Sequence, residues 1–507
     1  MKGYTIGFSS GMFMTADAKE KEEFLTMPRK FFKGALEGVN FTQVDIESVT
    51  EFKEPFLKEG MERMKKLGLR LGFHGESYAM GGAEKPIGML DSCIESDYIH
   101  AHERLIEHIE GCGKLGGDYV NIHPSETTPF IRLGLQLQPA KLVDPWGRSL
   151  GDFLKENPKI LDWTVESIKE RIIKITHIQS YINWYYERIR SKIKDKEITE
   201  KKHNEILKEA YKKALFDFVD SNELEYGAER IAYIIIAKWM QKNNDPLWKS
   251  IVGKNIPDNK LMEKNKDWVP AVSSKYIWGH FNPRDPRHKD PKPLLKKYKI
   301  YFVFESQMGS AGVEGLYRLT RPRDMAFLCR TIGSEWVGVC FDFEHVLSQN
   351  IDPKKEIESI PYKLASHIKV CHLGWPTSHV PAHMPIPLGS SAQIYLYERL
   401  FELRKKGFKE GYLIFERAAA GRGSTILSLR LIKEFLEKDV PPKELPLSFF
   451  GMRSKGPEIG RQELAVRDHA LDPLKGMLAV PEEEYTFLSK TATEKGKAEI
   501  WKKEKYK

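Results

Sequence analysis

The sequence predicts an α/β protein built on a (β/α)8 TIM barrel, with a large, mostly helical insertion between strands four and five and a C-terminal extension. Short apolar runs alternate with amphipathic stretches over residues 1–125 and again over 296–438. These two parts hold 268 residues, close to the ~250 of such a barrel. Residues 126–295 break the alternation and form the insertion, and residues 439–507 form the extension.

The first half of the barrel is predicted to contain four strands with helices between them. Each strand is a short apolar run, and each helix has apolar residues at helical spacing. One of the helices ends in a glycine and another is followed directly by glycine, a residue that is common at helix C-termini. The predicted strands are Gly3–Ser9, Thr42–Glu47, Leu69–His74 and Asp118–His123, and the predicted helices are Pro28–Val39, Pro55–Gly68 and Tyr98–Leu115.

The insertion has helical periodicity over Leu161–Arg190, Glu200–Val219 and Glu225–Gln241. Asn255–Pro293 is rich in proline, asparagine and charge, and predicts irregular chain. The second half of the barrel then repeats the earlier alternation. Its predicted strands are Lys299–Glu305, Val337–Asp342, His367–His372 and Gly411–Glu416, and its predicted helices are Arg323–Gly333, Ala392–Gly407 and Thr425–Lys438.

The composition excludes several protein classes. The 507 residues are 41% hydrophobic and 11% aromatic, which is ample for a core and argues against global disorder. No apolar run approaches the ~18 residues of a membrane span, and the N-terminus lacks the apolar region of a secretory signal. Five cysteines without a C-x-x-C pair disfavour a disulfide scaffold. We therefore expect a cytoplasmic protein with no membrane contact and with its cysteines buried as small hydrophobes.

The net charge of +9 is concentrated in one segment. Residues 251–300 carry 12 Lys and Arg against 5 Asp and Glu, whereas the rest of the chain is near balance. A basic segment of this kind predicts contact with a polyanion such as DNA, although solvated loops have the same composition.

Six of the predicted strands end in a residue that can bind a metal ion. In a parallel barrel the carboxyl ends of all strands meet at one rim, which is where active sites of this fold lie. Three imidazoles and three carboxylates would therefore come together. Carboxylates at such short distances repel one another unless a cation is bound between them. A ligand set of nitrogen and oxygen atoms without thiolate suits Zn, Mn or Fe(II). The six residues are His74, His123, Glu305, Asp342, His372 and Glu416.

Three further histidines are candidate ligands. His345 follows Asp342 by three residues, so that both lie on one turn after strand six. His379 and His383 lie in the loop after strand seven, in a stretch with three histidines in twelve residues. The histidines of the predicted helix Tyr98–Leu115 are expected instead at the surface or at the edge of the core.

These strand-end residues resemble endonuclease IV, the family 2 apurinic/apyrimidinic endonucleases, within the xylose isomerase-like TIM-barrel superfamily. The resemblance covers the barrel, about half of the chain. It implies a zinc cluster of two or three ions, with Mn or Fe as alternatives. The implied ligands are the strand-three and strand-four histidines His74 and His123, the bridging Glu305, the Asp-x-x-His pair Asp342 and His345, the strand-seven His372 and the strand-eight Glu416.

The chain departs from this family after strand seven. The family has an Asp-x-His pair there, just before a Leu-Gly turn. Leu388-Gly389 is present and His383 can stand for the histidine, but no Asp or Glu occurs between His372 and Glu398. A third metal ion would thus depend on neutral ligands only, namely His345, His383 and His379.

The resemblance implies hydrolysis of a phosphodiester at an abasic site in DNA, by attack of a metal-activated water. Glu305 and Glu416 would be the catalytic carboxylates, and the 251–300 segment would hold the DNA backbone.

Two other functions stay open from the sequence. Barrels of the same superfamily include sugar isomerases and epimerases, which use one metal ion and two glutamates to move a proton between neighbouring carbons. The missing aspartate favours this alternative. A non-catalytic nucleic-acid-binding or scaffold protein would instead hold one metal ion tightly as a structural element. The number of metal ions per chain separates phosphodiester chemistry from the other two.

Overall fold

In the computed structural model of the protein, eight parallel strands close into a barrel in sequence order, β1 to β8. The predicted (β/α)8 barrel is confirmed, and every strand boundary lies within two residues of its predicted position. Each strand is largely buried, and most of the strands consist mainly of apolar residues. The strands are β1 Tyr4–Ser9, β2 Phe41–Asp45, β3 Arg70–His74, β4 Tyr119–Ile122, β5 Tyr301–Glu305, β6 Val337–Asp342, β7 Ile368–Leu373 and β8 Gly411–Phe415.

The structure describes most of the chain. The described residues are 3–10, 26–36, 38–46, 48–55, 57–76, 87–125, 141–167, 179–191, 193, 199–220, 228–263, 267–307, 318–374, 383–416 and 422–452. Of the predicted site residues, His379 lies outside these ranges, as do residues 453–507 of the C-terminal extension.

Helices follow the strands and also fill the region between β4 and β5. Those that accompany the barrel strands are α1 Met27–Leu36, α2 Leu57–Lys66, α3 Glu95–Leu115, α12 Pro322–Ile332, α13 Phe343–Ser348, α14 Pro353–Ser359, α15 Ser391–Lys405 and α16 Arg422–Glu437. Those between β4 and β5 are α4 Leu150–Glu156, α5 Pro158–Ser167, α6 Gln179–Arg190, α7 Glu200–Asp220, α8 Ala228–Lys242, α9 Asp258–Glu263, α10 Val269–His280 and α11 Lys292–Tyr298.

The prediction of irregular chain over Asn255–Pro293 is wrong for its central part. Helix α10 occupies twelve residues of that segment, and ten of them are buried. Proline lies in its first turn, where the missing N–H costs no hydrogen bond, so Pro270 starts the helix instead of breaking it. The prolines and asparagines on both sides of α10 obscured its apolar residues in the sequence.

The chain divides into two compact units. The first comprises residues 1–44, 59–71 and 341–507, and the second comprises residues 45–58 and 72–340. In the first unit β1 pairs with β2 and β8, and β8 pairs with β7. The phenol of Tyr4 donates a hydrogen bond of 2.6 Å to the carbonyl of Phe408, and their rings pack at 5.2 Å. This contact fixes the start of β1 against the turn that precedes β8.

In the second unit β4 pairs with β3 and β5, and β5 pairs with β6. Strand β3 contains a glycine because a side chain does not fit at that position. A Cβ at Gly72 would lie 2.5 Å from the ring of Tyr119, which is fully buried on β4. On β5, Phe302 and Phe304 pack against Phe281 at 5.7 and 5.8 Å.

No helix in the described ranges is long and apolar enough to span a membrane. All five cysteines are buried and none forms a disulfide, which confirms the prediction that they are buried as small hydrophobes.

The second unit also contains a buried group of histidines that the sequence did not predict. His102 on α3 and His280 at the end of α10 meet through their Nδ1 atoms at 3.1 Å. The Nε2 of His102 lies 2.9 Å from the carbonyl of Lys289, so it carries a proton and donates to that oxygen. His288 packs beside His102 with ring centroids 4.8 Å apart. These rings join α3, α10 and the chain that follows α10.

We predict that this histidine group makes stability depend on pH. Burial, and then the neighbouring His288, lower the pKa of His102 to about 4, and burial lowers the pKa of His280 well below its usual value. The unfolded chain therefore binds more protons between pH 6.5 and pH 4, and stability falls as the pH falls through that range. The loss from His102 is on the order of 3 kcal/mol.

The measurement is the urea midpoint of unfolding at pH 7.5 and at pH 5. His102→Gln should weaken the pH dependence, whereas His203→Gln, at an exposed position of α7, should leave it unchanged. An equal pH dependence in wild type and in His102→Gln would contradict the prediction.

Candidate metal centre

The six strand-end residues fall into two groups of three, one in each unit. The second unit contains His74, His123 and Glu305, and the first contains Asp342, His372 and Glu416. Within each unit the strands bring their three side chains together.

In the second unit, a carboxylate lies between two imidazoles. Oε2 of Glu305, which is fully buried, lies 3.2 Å from Nε2 of His74 and 4.0 Å from Nε2 of His123. The side-chain amide of Asn121 on β4 donates a hydrogen bond to the same oxygen. The ligand atoms of His74, His123 and Glu305 all lie within 4.8 Å of one another. One ion could therefore contact all three.

The tautomer of His74 indicates that this group is built for a cation. Its Nδ1 lies 3.0 Å from the carbonyl oxygen of Gly75, and this contact requires a proton on Nδ1. In the neutral ring, Nε2 then carries a lone pair, which faces the carboxylate of Glu305. Two electron-rich atoms this close in a buried site require a positive charge, from a proton or from a metal ion. A hydrogen bond from the other ring nitrogen is also how ligating histidines are commonly oriented.

In the first unit, an imidazole lies between two carboxylates. Nδ1 of His372 lies 3.0 Å from Oε1 of Glu416 and 3.5 Å from Oδ2 of Asp342. His372 and Asp342 are almost fully buried, and Glu416 is about one-sixth exposed. Two carboxylates at one imidazole give this group a formal charge of −2, which a divalent ion would neutralise.

Gln43 on β2, which was not among the predicted site residues, orients His372. Nε2 of His372 lies 3.0 Å from the side-chain oxygen of Gln43, so it donates its proton to that oxygen. In the neutral ring this leaves the lone pair of Nδ1 directed at the two carboxylates, the arrangement that a metal ligand needs. Gln43 is fully buried, and the available signal was a polar residue inside a predicted strand.

His345 lies beside Asp342, as predicted from their spacing. Its backbone N–H donates to Oδ1 of Asp342 at 2.6 Å, and its Nδ1 lies 3.7 Å from Oδ2. Asp342 thereby caps the N-terminus of α13 through one oxygen while its other oxygen faces His372.

His383 contacts two carboxylates, one of which was not predicted. Its Nδ1 lies 2.8 Å from Oε2 of Glu344 and 3.4 Å from Oε2 of Glu416. Although burial opposes protonation of His383, the two carboxylates raise its pKa to about 9. Burial raises the pKa of Glu344, and the neighbouring His383 partly cancels this increase. Glu344 lies inside the predicted Asp-x-x-His segment, but its acidic side chain resembled an ordinary residue of a helix start.

Both groups fit a divalent metal ion by their donor chemistry. Each offers only imidazole nitrogens and carboxylate oxygens, and in each an oriented imidazole has its lone pair facing a carboxylate. Such N/O sets suit Zn, Mn or Fe(II).

The basic segment 251–300 places several of its cations in ion pairs within the second unit. Lys275 is buried, pairs with Asp245 at 2.8 Å and lies 3.8 Å above the ring of Trp278. Lys289 pairs with Glu110 at 2.9 Å. These cations have structural partners, and DNA contact by the segment stays a prediction.

Several solved structures align with most of this chain at low sequence identity. No family model matches the sequence, and no curated protein matches it. Among solved structures, an L-ribulose 3-epimerase aligns with TM-score 0.40 and 10% identity over 89% of this chain and 100% of its own. The 3-keto-D-glucoside 4-epimerase YcjR from E. coli aligns with TM-score 0.36 and 9% identity over 85% and 99%. The IolI protein with a bound zinc atom aligns with TM-score 0.36 and 7% identity over 87% and 99%. At such scores the likeness carries no argument about activity.

We predict that Gln43→Leu weakens metal binding about 10- to 100-fold, because His372 loses the partner that sets its tautomer and ring orientation. Isothermal titration of Zn²⁺ or Mn²⁺ into metal-free protein measures the change. Gln393→Leu is the matched control, since Gln393 is a buried glutamine of the same unit that bonds to the backbone of Gly389 and Phe449. It should lower stability without lowering metal affinity, and equal affinities in Gln43→Leu and wild type would contradict the role of Gln43.

Proposed function

We propose that the protein is a metal-dependent isomerase or epimerase that moves a proton between neighbouring carbons of a small sugar. The observation that carries the proposal is the group formed by Asp342, His372 and Glu416. It combines an oriented imidazole with two carboxylates, one of which retains partial exposure. This group alone can hold one divalent ion and still present a carboxylate to a substrate.

A bound divalent ion would polarise a carbonyl or hydroxyl oxygen of the sugar and so acidify the neighbouring C–H. Glu416 is the base in this proposal. Its Oε1 lies 3.0 Å from Nδ1 of His372, and Oε2, which lies 3.4 Å from Nδ1 of His383, would accept the substrate proton. Glu305 is the second catalytic carboxylate predicted from the sequence, and a role for it in this reaction stays a prediction.

Two features favour this function over a trinuclear phosphodiesterase. The loop after β7 lacks the aspartate that a third ion would need. In addition, Nδ1 of His383, the histidine that could replace it, is engaged by Glu344. Neither feature affects a reaction that needs one ion.

We predict that the protein loaded with Mn²⁺ or Co²⁺ exchanges a carbon-bound proton of a ketopentose or ketohexose with D₂O. Proton NMR of a sugar panel detects both the exchange and the new epimer or isomer. Glu416→Gln should lower the rate about 10²- to 10⁴-fold, because the amide cannot accept the proton. Glu305→Gln tests the second carboxylate in the same assay.

Glu410→Gln provides the control, since Glu410 is an exposed glutamate just before β8. It should keep the wild-type rate. Absence of exchange with every sugar and metal ion tested would refute the proposed reaction.

A second candidate is the phosphodiester hydrolase that the sequence resemblance implied. A specific observation favours it, namely that His74, His123 and Glu305 form a ligand group of their own in the second unit. In this case the chain would hold at least two ions, and a metal-activated water would attack phosphorus.

The two candidates differ in the number of metal ions per chain. We expect the isomerase to bind one ion with high affinity. The His372→Ala variant should lose this ion, and the His74→Ala variant should retain it. Mass spectrometry of the extensively dialysed protein counts the ions. Two or three tightly held ions, together with nicking of an abasic-site duplex that falls as salt rises, would favour the hydrolase instead.

A further inference from the structure

We propose that Glu344 and His383 are positioning residues that orient Glu416 in the metal group, and that His383 is not itself a metal ligand. This inference depends on the part of the proposed function that places a metal ion at Asp342, His372 and Glu416. It adds two residues to that site. In this inference the His383 side chain contacts the Glu416 carboxylate instead of binding the ion.

Glu344 fixes His383 at two points. Its carboxylate is nearly fully buried, accepts the backbone N–H of His383 at 3.2 Å and lies 2.8 Å from the Nδ1 of the same residue. Both contacts use Oε2. One oxygen of Glu344 thereby contacts both the backbone and the ring of His383.

The two oxygens of Glu416 face different imidazoles. Oε1 lies 3.0 Å from His372, on the side of Asp342, whereas Oε2 lies 3.4 Å from Nδ1 of His383. The first oxygen would thus be the one to bind the proposed ion, whereas the second faces His383. A carboxylate held through its second oxygen loses little freedom when the first oxygen binds an ion, as is typical of outer-sphere partners of ligating carboxylates.

The backbone of His383 shows that this position is imposed by its surroundings. Its φ is +47°, in the left-handed region that residues other than glycine adopt rarely. Asparagine, aspartate and histidine are the non-glycine residues that tolerate it best. Backbone strain of this kind persists only where contacts hold it, and it concentrates at functional sites.

Gly374, just after β7, keeps space for the Glu344 carboxylate. A Cβ at Gly374 would lie 2.8 Å from the carboxyl carbon and from Oε2 of Glu344. Gly374→Ala should therefore displace the carboxylate from His383 without removing any polar group.

The experiment measures Co²⁺ binding to the full chain by calorimetry and by the visible spectrum of the bound ion. We expect Glu344→Gln and His383→Ala to weaken Co²⁺ binding about 10- to 100-fold, with unchanged stoichiometry and a shifted spectrum. His383→Asn should recover part of the affinity, because its amide N–H can donate to Glu344 and asparagine tolerates the left-handed backbone. Gly374→Ala should weaken binding in the same direction.

Glu356→Gln is the matched control, since Glu356 is a fully buried carboxylate of α14 in the same unit. It should change stability but neither affinity nor spectrum. Loss of one equivalent of Co²⁺ in His383→Ala would show that His383 is a ligand and would overturn the proposal. Unchanged affinity and spectrum in Glu344→Gln and His383→Ala would overturn it as well.

The outcomes also separate this inference from the proposed function. Failure of every sugar assay with these Co²⁺ results intact would refute only the reaction. Absence of Co²⁺ binding by the wild-type protein would overturn both.

Discussion

Buried carboxylates that face the lone pairs of imidazoles are the central constraint on this structure. In each unit, a hydrogen bond at one ring nitrogen fixes where the other nitrogen points, and in both cases it points at a carboxylate. Such a contact is unfavourable in a dry site unless a cation is present. The strands supply the ligands, but Gly75 and Gln43 determine that those ligands are ready to receive a positive charge. Any metal-dependent function of this chain depends on that condition.

The barrel was predictable because its pattern is local. Short buried runs such as Phe302–Phe304 carry their own signal, and their spacing repeats often enough to fix the strand number. The strand-end ligands were equally visible, since each follows an apolar run directly. Helix α10 was not predicted because its flanks contain residues that normally break helices, while its own burial depends on packing that no local pattern shows.

The residues that orient the ligands could not be predicted from the sequence. Gln43 contacts His372 from a strand more than three hundred residues away in the chain. Glu344 and His383, which are in contact, are also far apart in the sequence. These residues matter because particular side-chain atoms contact particular ring nitrogens. A single glutamine or glutamate in a sequence does not show what its side chain contacts. The same holds for His102 and His280, whose contact joins two helices far apart in the sequence.

Asp342 serves two purposes with one side chain. Oδ1 closes the first turn of α13, and Oδ2 belongs to the ligand group. Protonating or replacing this carboxylate therefore disturbs a helix end and an ion position together. Occupancy of the centre and local order of the chain after β6 are thermodynamically linked, so that ion release should loosen the turn that carries Glu344 and His345. A bound metal ion would thereby give the protein a local conformational response to metal supply.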